Sequence, residues 1–416
     1  MPKPEAKINS GRLKALLGGI NTFGLNAETG GFNRVGFSDA DMAVRQWFCD
    51  QMRADGLDVS MDSVGNLFGR MGPQGGPCIM AGSHLDTVPE GGAFDGALGA
   101  AVALECARSI RDAGMNLKTP LVVAATSEEE GRFGGMLGSQ AISGQIADGW
   151  LESAADADGV LLSDAMRAQG FEPSCAGEAA WKPGSIKAFL ELHIEQGPVL
   201  EGEKLAVGVV EGISGILVLG VRFEGIANHS GTTPMNMRAD AFVGLAEVGS
   251  SIAGIIERAG TEQSRVTVGK VELSPNFPHT IAGSSEFTII IRDTSESVMK
   301  SLRREIETSI ASAAAHNNLK VKIEARSFLP PQTLDLNIRE AFLAEAEALG
   351  LSHRVMPSGA GHDAQTMQAF CPAGLIFVPS RNGVSHAPQE WTDWADIEKG
   401  AQLMLNTIVR LAGASD

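Results

Sequence analysis

The chain has 416 residues, 44% of them hydrophobic, and a formal net charge of −17 at pH 7. That length supports a large core spread over two or three domains and excludes a small fold stapled by metal or disulfides. The charge repels nucleic acid and anionic membrane over most of the surface, leaving a local basic pocket for a small anion as the electrostatic partner it permits.

The first residues, MPKPEAKINSGRLKALLGG, contain no apolar stretch of export-signal length, and no segment approaches about 18 continuous apolar residues. Cys49, Cys78, Cys106, Cys175 and Cys371 show no CxxC spacing, which excludes a zinc ribbon and points to a reducing compartment. A cytoplasmic protein is expected. Ser38 with Asp41, followed by Val44, Trp47, Phe48 and Met52 and stopped by Gly56, predicts a capped amphipathic helix. GPQGGP at 72–77 is a turn. Apolar runs at 78–81 and 121–126 enclose an alanine-rich helical stretch at 98–110, the pattern of a crossover unit in a mostly parallel sheet.

Strands follow at 188–194 and 206–210, and then the pattern changes. Between about 213 and 326 the order is strand 216–224, helix 236–258, strands 267–273 and 285–291, helix 296–314 and strand 319–325. This resembles a split β-α-β-β-α-β module inserted into a larger domain. Helices near 338–349 and 393–411 then flank a strand at 374–378. The expected class is α/β, a mixed, mostly parallel sheet flanked by helices, with an inserted α+β ferredoxin-like module.

The polar residues that carry chemistry stand where apolar strands end. In AGSHLDTVPEGGAFDGALG, residues 81–99, His84 lies just past one strand and Asp95 in a glycine-rich loop before a helix. Groups at carboxyl strand ends of open α/β sheets face the usual ligand crevice. Asp86 is placed to accept the proton of the second ring nitrogen of His84. One His-x-Asp pair is ordinarily structural, because a metal needs several donors. TSEEEGRF at 126–133 ends the next strand, and its glutamates can divide the work, one binding metal and a neighbour acting as general base. Spacing alone does not choose between them. His193 ends KAFLELHI and His386 lies in RNGVSHAPQE. Imidazole and carboxylate together suit zinc, manganese, cobalt or nickel, and point to a metal hydrolase.

These residues fall within RVGFSDAD (34–41), GNLFGR (65–70), GSHLDTVPEGGAFDG (82–96), SEEEGRF, LHIEQGP (192–198), ANHSGTTPMNMRAD (227–240) and GVSHAPQE (383–390). The set resembles the M20-type metallopeptidase superfamily, in its amidase branch of N-carbamoyl-L-amino acid hydrolases, β-ureidopropionases and allantoate amidohydrolases. The resemblance runs from about Asn33 to Ala412. It implies a metallopeptidase-like catalytic domain from residues 1–212 and 327–416, with a dimerisation or lid domain at 213–326. It implies two divalent ions bridged by Asp95, one completed by His84 and His193, the other by Glu130 and His386, with Glu129 as general base.

The same resemblance implies substrate roles for Gln196, His229, Asn276 and Arg292, with His229 reaching the partner's site in a homodimer. Without it, ANHSGTTP reads as a polar turn and Arg292 as a surface ion pair with Asp293 or Glu296. A departure falls in PNFPHTIAG (275–283), where His279 occupies the place of the branch's second asparagine. The reaction expected is hydrolysis of the carbamoyl amide of an N-carbamoyl-L-amino acid or related ureido acid, releasing ammonia, carbon dioxide and the amino acid. The alternatives are allantoate, an N-acyl amino acid or peptide as substrate, or a non-catalytic binding protein, which the full ligand set opposes.

Overall fold

The computed structural model describes residues 6–415, so the first five residues of the stretch read for an export signal lie outside it. The chain divides into two compact units. One comprises the chain up to Glu211, Leu334–Met356 and everything from His362 onward, and the other comprises Gly212–Thr333 with Pro357–Gly361.

In the larger unit, Ser38 caps the helix Asp39–Ala54, its hydroxyl accepting the Asp41 amide at 3.2 Å. The apolar runs become strands covered on both faces: Cys78–His84, Leu121–Thr126 and Ala373–Val378 are buried throughout, and Ile186–Ile194 exposes only Lys187. These strands run parallel in the order Leu121–Thr126, Cys78–His84, Ile186–Ile194, Ala373–Val378. Antiparallel strands extend both sides, Leu67–Met71 then Asp58–Met61 on one and Val207–Ile213 on the other. All of the parallel strands therefore end at the same edge.

The helix Ala97–Asp112 is buried from Ala97 to Ile110, which explains its run of small residues. A Cβ on Gly99 would stand 2.4 Å from the Leu192 carbonyl oxygen, so helix and strand approach more closely than alanine allows. The helix Ser10–Ile20, capped by Asn9, buries Leu13, Leu16, Leu17 and Ile20 in the same core, an amphipathic spacing within the stretch that lacks an export signal's apolar run. Short helices between residues 137 and 168 pack around a satellite core of Phe37, Val64, Leu137, Leu162 and Met166. Among the described residues no helix is long and apolar enough to cross a membrane.

The smaller unit has the expected β-α-β-β-α-β order. Its antiparallel sheet runs Lys320–Leu329, Gly215–Glu224, Ser284–Asp293, Arg265–Ser274, and the helices Ala241–Ala259 and Glu296–His316 pack on it. The first helix begins later than its apolar pattern predicts. Pro234 and a single 3₁₀ turn at Met235–Met237 interrupt the chain, and Asp240 supplies the cap, accepting the Phe242 amide at 3.0 Å. Alternation along Ser284–Asp293 buries Phe287, Ile289 and Ile291 against the helices and turns Arg292 to the opposite face.

Candidate metal centre

The carboxyl ends of the parallel strands gather the polar residues of the larger unit. His84 closes its strand and His193 is the last residue but one of its own, Glu129 and Glu130 follow Leu121–Thr126, and His386 lies in the loop after Ala373–Val378. Asp95 stands before the amino end of Ala97–Asp112 and faces all three histidines. Its Oδ1 is 3.5 Å from His84 Nε2 and 3.1 Å from His193 Nε2. Its Oδ2 is 3.4 Å from His386 Nε2, which is also 3.4 Å from Glu130 Oε2. Two donor groups capable of holding a metal thus share one aspartate, His84 with Asp95 and His193, and Asp95 with Glu130 and His386.

The spacing fits metal coordination. Nitrogen and oxygen ligands about 2.1 Å from a tetrahedral zinc stand roughly 3.4 Å from one another. The histidine orientations fit as well. Nδ1 of His84 lies 3.0 Å from the Asp86 carbonyl oxygen and Nδ1 of His193 lies 2.9 Å from that of Ile194, so each ring donates there and turns Nε2 toward Asp95, that of His193 lying also 3.2 Å from the Gly96 amide. This corrects the expectation for Asp86, whose nearest carboxylate oxygen is 3.9 Å from the ring. That carboxylate instead accepts the Glu130 amide at 3.1 Å and faces the Arg45 guanidinium at 3.6 Å. Glu130 Oε1 is buried with no hydrogen-bond partner among the described residues, an orphan acceptor that a cation would satisfy.

Electrostatics point the same way. Burial opposes charge on His84, yet Glu129, Asp95, Asp86 and Glu130 outweigh it and hold its pKa well above the usual imidazole range. Burial likewise opposes ionisation of Asp95, but His193, His386 and His84 keep it well below the usual carboxylate range. Contact with Asp95 lifts His386 to about 9. Burial, reinforced by neighbouring carboxylates, raises Glu129 well above its ordinary value and Glu130 to about 7. The pocket therefore holds either bound protons or a multivalent cation. Glu129 Oε2, 3.5 Å from His84 Nε2, borders it without belonging to either donor group. Gln196 Nε2 donates to Asp95 Oδ2 at 2.7 Å.

Glu128 stands in the glutamate run without its spacing showing what it does, and Glu191 and His362 lie outside the metal-ligand pattern. Glu128, with φ of 50°, turns its carboxylate away to accept the amides of Phe133 at 2.7 Å and Gly135 at 3.2 Å, and burial lifts its pKa to about 8. Glu191 accepts Ser83 Oγ at 2.7 Å and the Ala364 amide at 2.9 Å, tying the His84 and His193 strands to the helix Asp363–Met367. His362 stacks edge-on against His193 with centroids 4.6 Å apart, and burial keeps it neutral. The signal for Glu191 was its place two residues before His193, on a face that alternation turns into the core.

The other predicted residues belong to the smaller unit. His229 is exposed, pairs across an isolated bridge with Thr280, and accepts the Gly231 amide on Nδ1 at 3.0 Å. The Ser230 amide donates to the His279 carbonyl at 3.0 Å, so the ANHSGTTP and PNFPHTIAG segments lie side by side, with Asn276 and His279 exposed. Arg292 is half-buried, and Nη1 donates to the Gly359 carbonyl at 2.7 Å. Among the described residues Arg292 makes neither expected ion pair: Asp293 accepts Thr261, Ser264 and Ser295, and Glu296 binds Lys300.

Comparison with known proteins identifies the family. The sequence profile of peptidase family M20/M25/M40 matches residues 80–410. An N-carbamoyl-L-amino-acid amidohydrolase of Paenarthrobacter aurescens is 36% identical over 391 residues, 93% of this chain and 94% of that protein. An allantoate amidohydrolase of Escherichia coli K12 is 34% identical over 397 residues, 94% of this chain and 96% of that protein. The crystal structure of a hydantoinase/carbamoylase family amidase from Burkholderia multivorans superposes with a TM-score of 0.89 at 31% identity, covering 98% of this chain and 99% of that one. The shared aspartate, the paired donor groups and these matches lead to one assignment: the chain belongs to peptidase family M20/M25/M40 and is a metal-dependent hydrolase acting on amide C–N bonds.

Proposed function

We propose that the enzyme hydrolyses the carbamoyl amide of an N-carbamoyl-L-amino acid or a closely related ureido acid, releasing ammonia, carbon dioxide and the amino acid. The observation that carries the mechanism is the division of Asp95, with Oδ1 toward His84 and His193 and Oδ2 toward His386. The two donor groups, the second including Glu130, would hold two divalent ions, with zinc, manganese, cobalt and nickel suited to their nitrogen and oxygen atoms. When bound, such ions polarise the substrate carbonyl and lower the pKa of the attacking water.

Glu129 is the general base. It takes the proton of the attacking water and passes it to the leaving nitrogen, a role suited to its carboxylate at the border of the donor groups, 3.5 Å from His84 Nε2. Gln196 orients Asp95 and offers its amide to substrate. Arg292, half-buried and without a carboxylate partner among the described residues, takes the substrate carboxylate in a bidentate pair. Its charge gives an acidic protein a local site for an anion. His229, whose Nε2 is left outward by the Nδ1 contact, stabilises the oxyanion of a partner subunit's substrate in a homodimer. Asn276 and His279, beside it, shape selectivity. The unit with the metal centre is the catalytic domain, and the smaller unit serves dimerisation and closure. The five unpaired cysteines suit a cytoplasmic setting.

The test is ammonia release across carbamoyl amino acids, allantoate and N-acyl amino acids after reconstitution with each metal. Turnover of carbamoyl amino acids in preference to the others is expected. Preference for allantoate would move the assignment to that substrate, and cleavage confined to acyl amino acids would overturn the carbamoyl reading.

A further inference from the structure

Asp95 and His386 lie far apart in sequence, and one buried side chain joins the segments that carry them. Glu390 is 3% exposed. Its Oε1 accepts the main-chain amides of Phe94 at 2.8 Å and Asp95 at 3.0 Å, and its Oε2 accepts Ser385 Oγ at 2.7 Å. Ser385 Oγ is in turn 2.9 Å from Asp95 Oδ2, the oxygen that faces His386. The hydroxyl has one proton and lies within reach of two carboxylates, so it donates to one at a time, while Gln196 Nε2 supplies Asp95 Oδ2 with a donor of its own.

The loop has reason to need this support. Asn382 and His386 both have φ of 55°, the left-handed region that non-glycine residues keep only where surrounding contacts enforce it. His386 is also the exposed member of its group, its side chain 49% accessible against 2% for His84 and His193. Packing therefore holds the two buried histidines, whereas His386 depends on what anchors its loop. A Cβ on Gly92 would come within 2.1 Å of the Glu390 carboxyl, so the 92–95 segment runs directly against it.

We infer that Glu390, with Ser385 as its relay, is a positioning residue that sets the spacing of Asp95 and His386, and so governs occupancy of the Asp95–Glu130–His386 group separately from that of the His84–Asp95–His193 group. This rests on the two-ion reading above. A role confined to folding would lower the unfolding temperature of the metal-free protein and leave the two ion affinities in their original ratio. A positioning role changes the ratio.

The experiment is a zinc titration of the metal-free full chain against a competing chelator, with thermal unfolding of each metal-free variant. Wild type is expected to take two ions. Glu390→Ala should weaken the second ion about 10- to 100-fold more than the first, which shares Asp95 but keeps its two buried histidines, the usual cost of losing a partner that orients ligands. Glu390→Gln should restore the second ion, because its amide oxygen still accepts both backbone amides and its nitrogen can donate to Ser385. Ser385→Ala, which keeps the backbone contacts, should weaken the second ion alone and by a smaller factor. Wild-type affinities for both ions in Glu390→Ala and Ser385→Ala would overturn the inference. So would equal weakening of both ions in Glu390→Ala and Glu390→Gln. A wild type that takes a single ion would overturn the two-ion reading and this inference with it.

Discussion

Gly96 offers a stringent test of the metal centre because it separates folding from coordination. It lies between Asp95 and the helix Ala97–Asp112, with φ of 61° and ψ of −54°, and the Ala97 amide closes a γ-turn onto the Asp95 carbonyl at 2.6 Å. An alanine forced into that conformation costs about 1–3 kcal/mol. Its Cβ would stand 2.3 Å from Cε1 and Nδ1 of His84, whereas real Cβ contacts essentially never fall below 3.0 Å, so ring or turn must retreat by at least 3.0 − 2.3 = 0.7 Å. Metal–ligand distances tolerate only about 0.2 Å. Gly96→Ala is therefore expected to fold with a modestly lower denaturation midpoint and to bind the ion at the His84–Asp95–His193 group at least about 100-fold more weakly, the upper end of what an outer-sphere loss costs. Zinc titration of the metal-free protein and urea unfolding measure the two effects. Wild-type affinity for both ions in a folded Gly96→Ala protein would show that His84 is not a ligand.

Further outcomes follow from the same geometry. Glu129→Gln should keep its metal content and lose about 10²- to 10⁴-fold in kcat, as removal of a general base does, whereas Glu130→Ala should lose metal and activity together; equal metal loss in both would reverse the assignment of base and ligand. Arg292→Ala should lower kcat/KM for carboxylate-bearing substrates roughly 30- to 160-fold, since a charge-assisted contact contributes about 2–3 kcal/mol, and leave an analogue with an amide in place of the carboxylate unaffected. In the metal-free protein, Glu130 and His386 have folded-state pKa values of about 7 and about 9, above the ordinary 4.5 and 6.5. A raised folded pKa stabilises fully below the unfolded value and loses that contribution as pH rises through the folded one. Above pH 6.5, where buried His362 is neutral in both states, the unfolding midpoint of metal-free protein should thus fall toward pH 9, while zinc affinity rises over the same range because the ion displaces these protons. A flat profile in both measurements would contradict the assigned proton sites.

By itself the sequence determined the local elements and the kinds of donor available. Apolar runs long enough for one strand and ended by histidine or glutamate specify strands with ligands at their carboxyl ends, and the element order between Gly215 and Leu329 specifies the inserted α+β module. Tertiary structure decided which donor meets which oxygen. Nothing in the local pattern says that Asp95 turns Oδ1 to His84 and His193 and Oδ2 to His386, because that depends on strands brought together in the folded sheet. Three adjacent glutamates look alike in sequence, yet the positive φ of Glu128 sends its carboxylate to two loop amides and leaves Glu129 and Glu130 at the pocket. Asp86 serves His84 through its carbonyl, a distinction between main chain and side chain that spacing does not carry. Glu390 takes its place only when the loop after Ala373–Val378 folds against Phe94 and Asp95. Periodicity records which face of an element is buried; the direction of each polar atom within that burial is set by the contacts that long-range folding supplies.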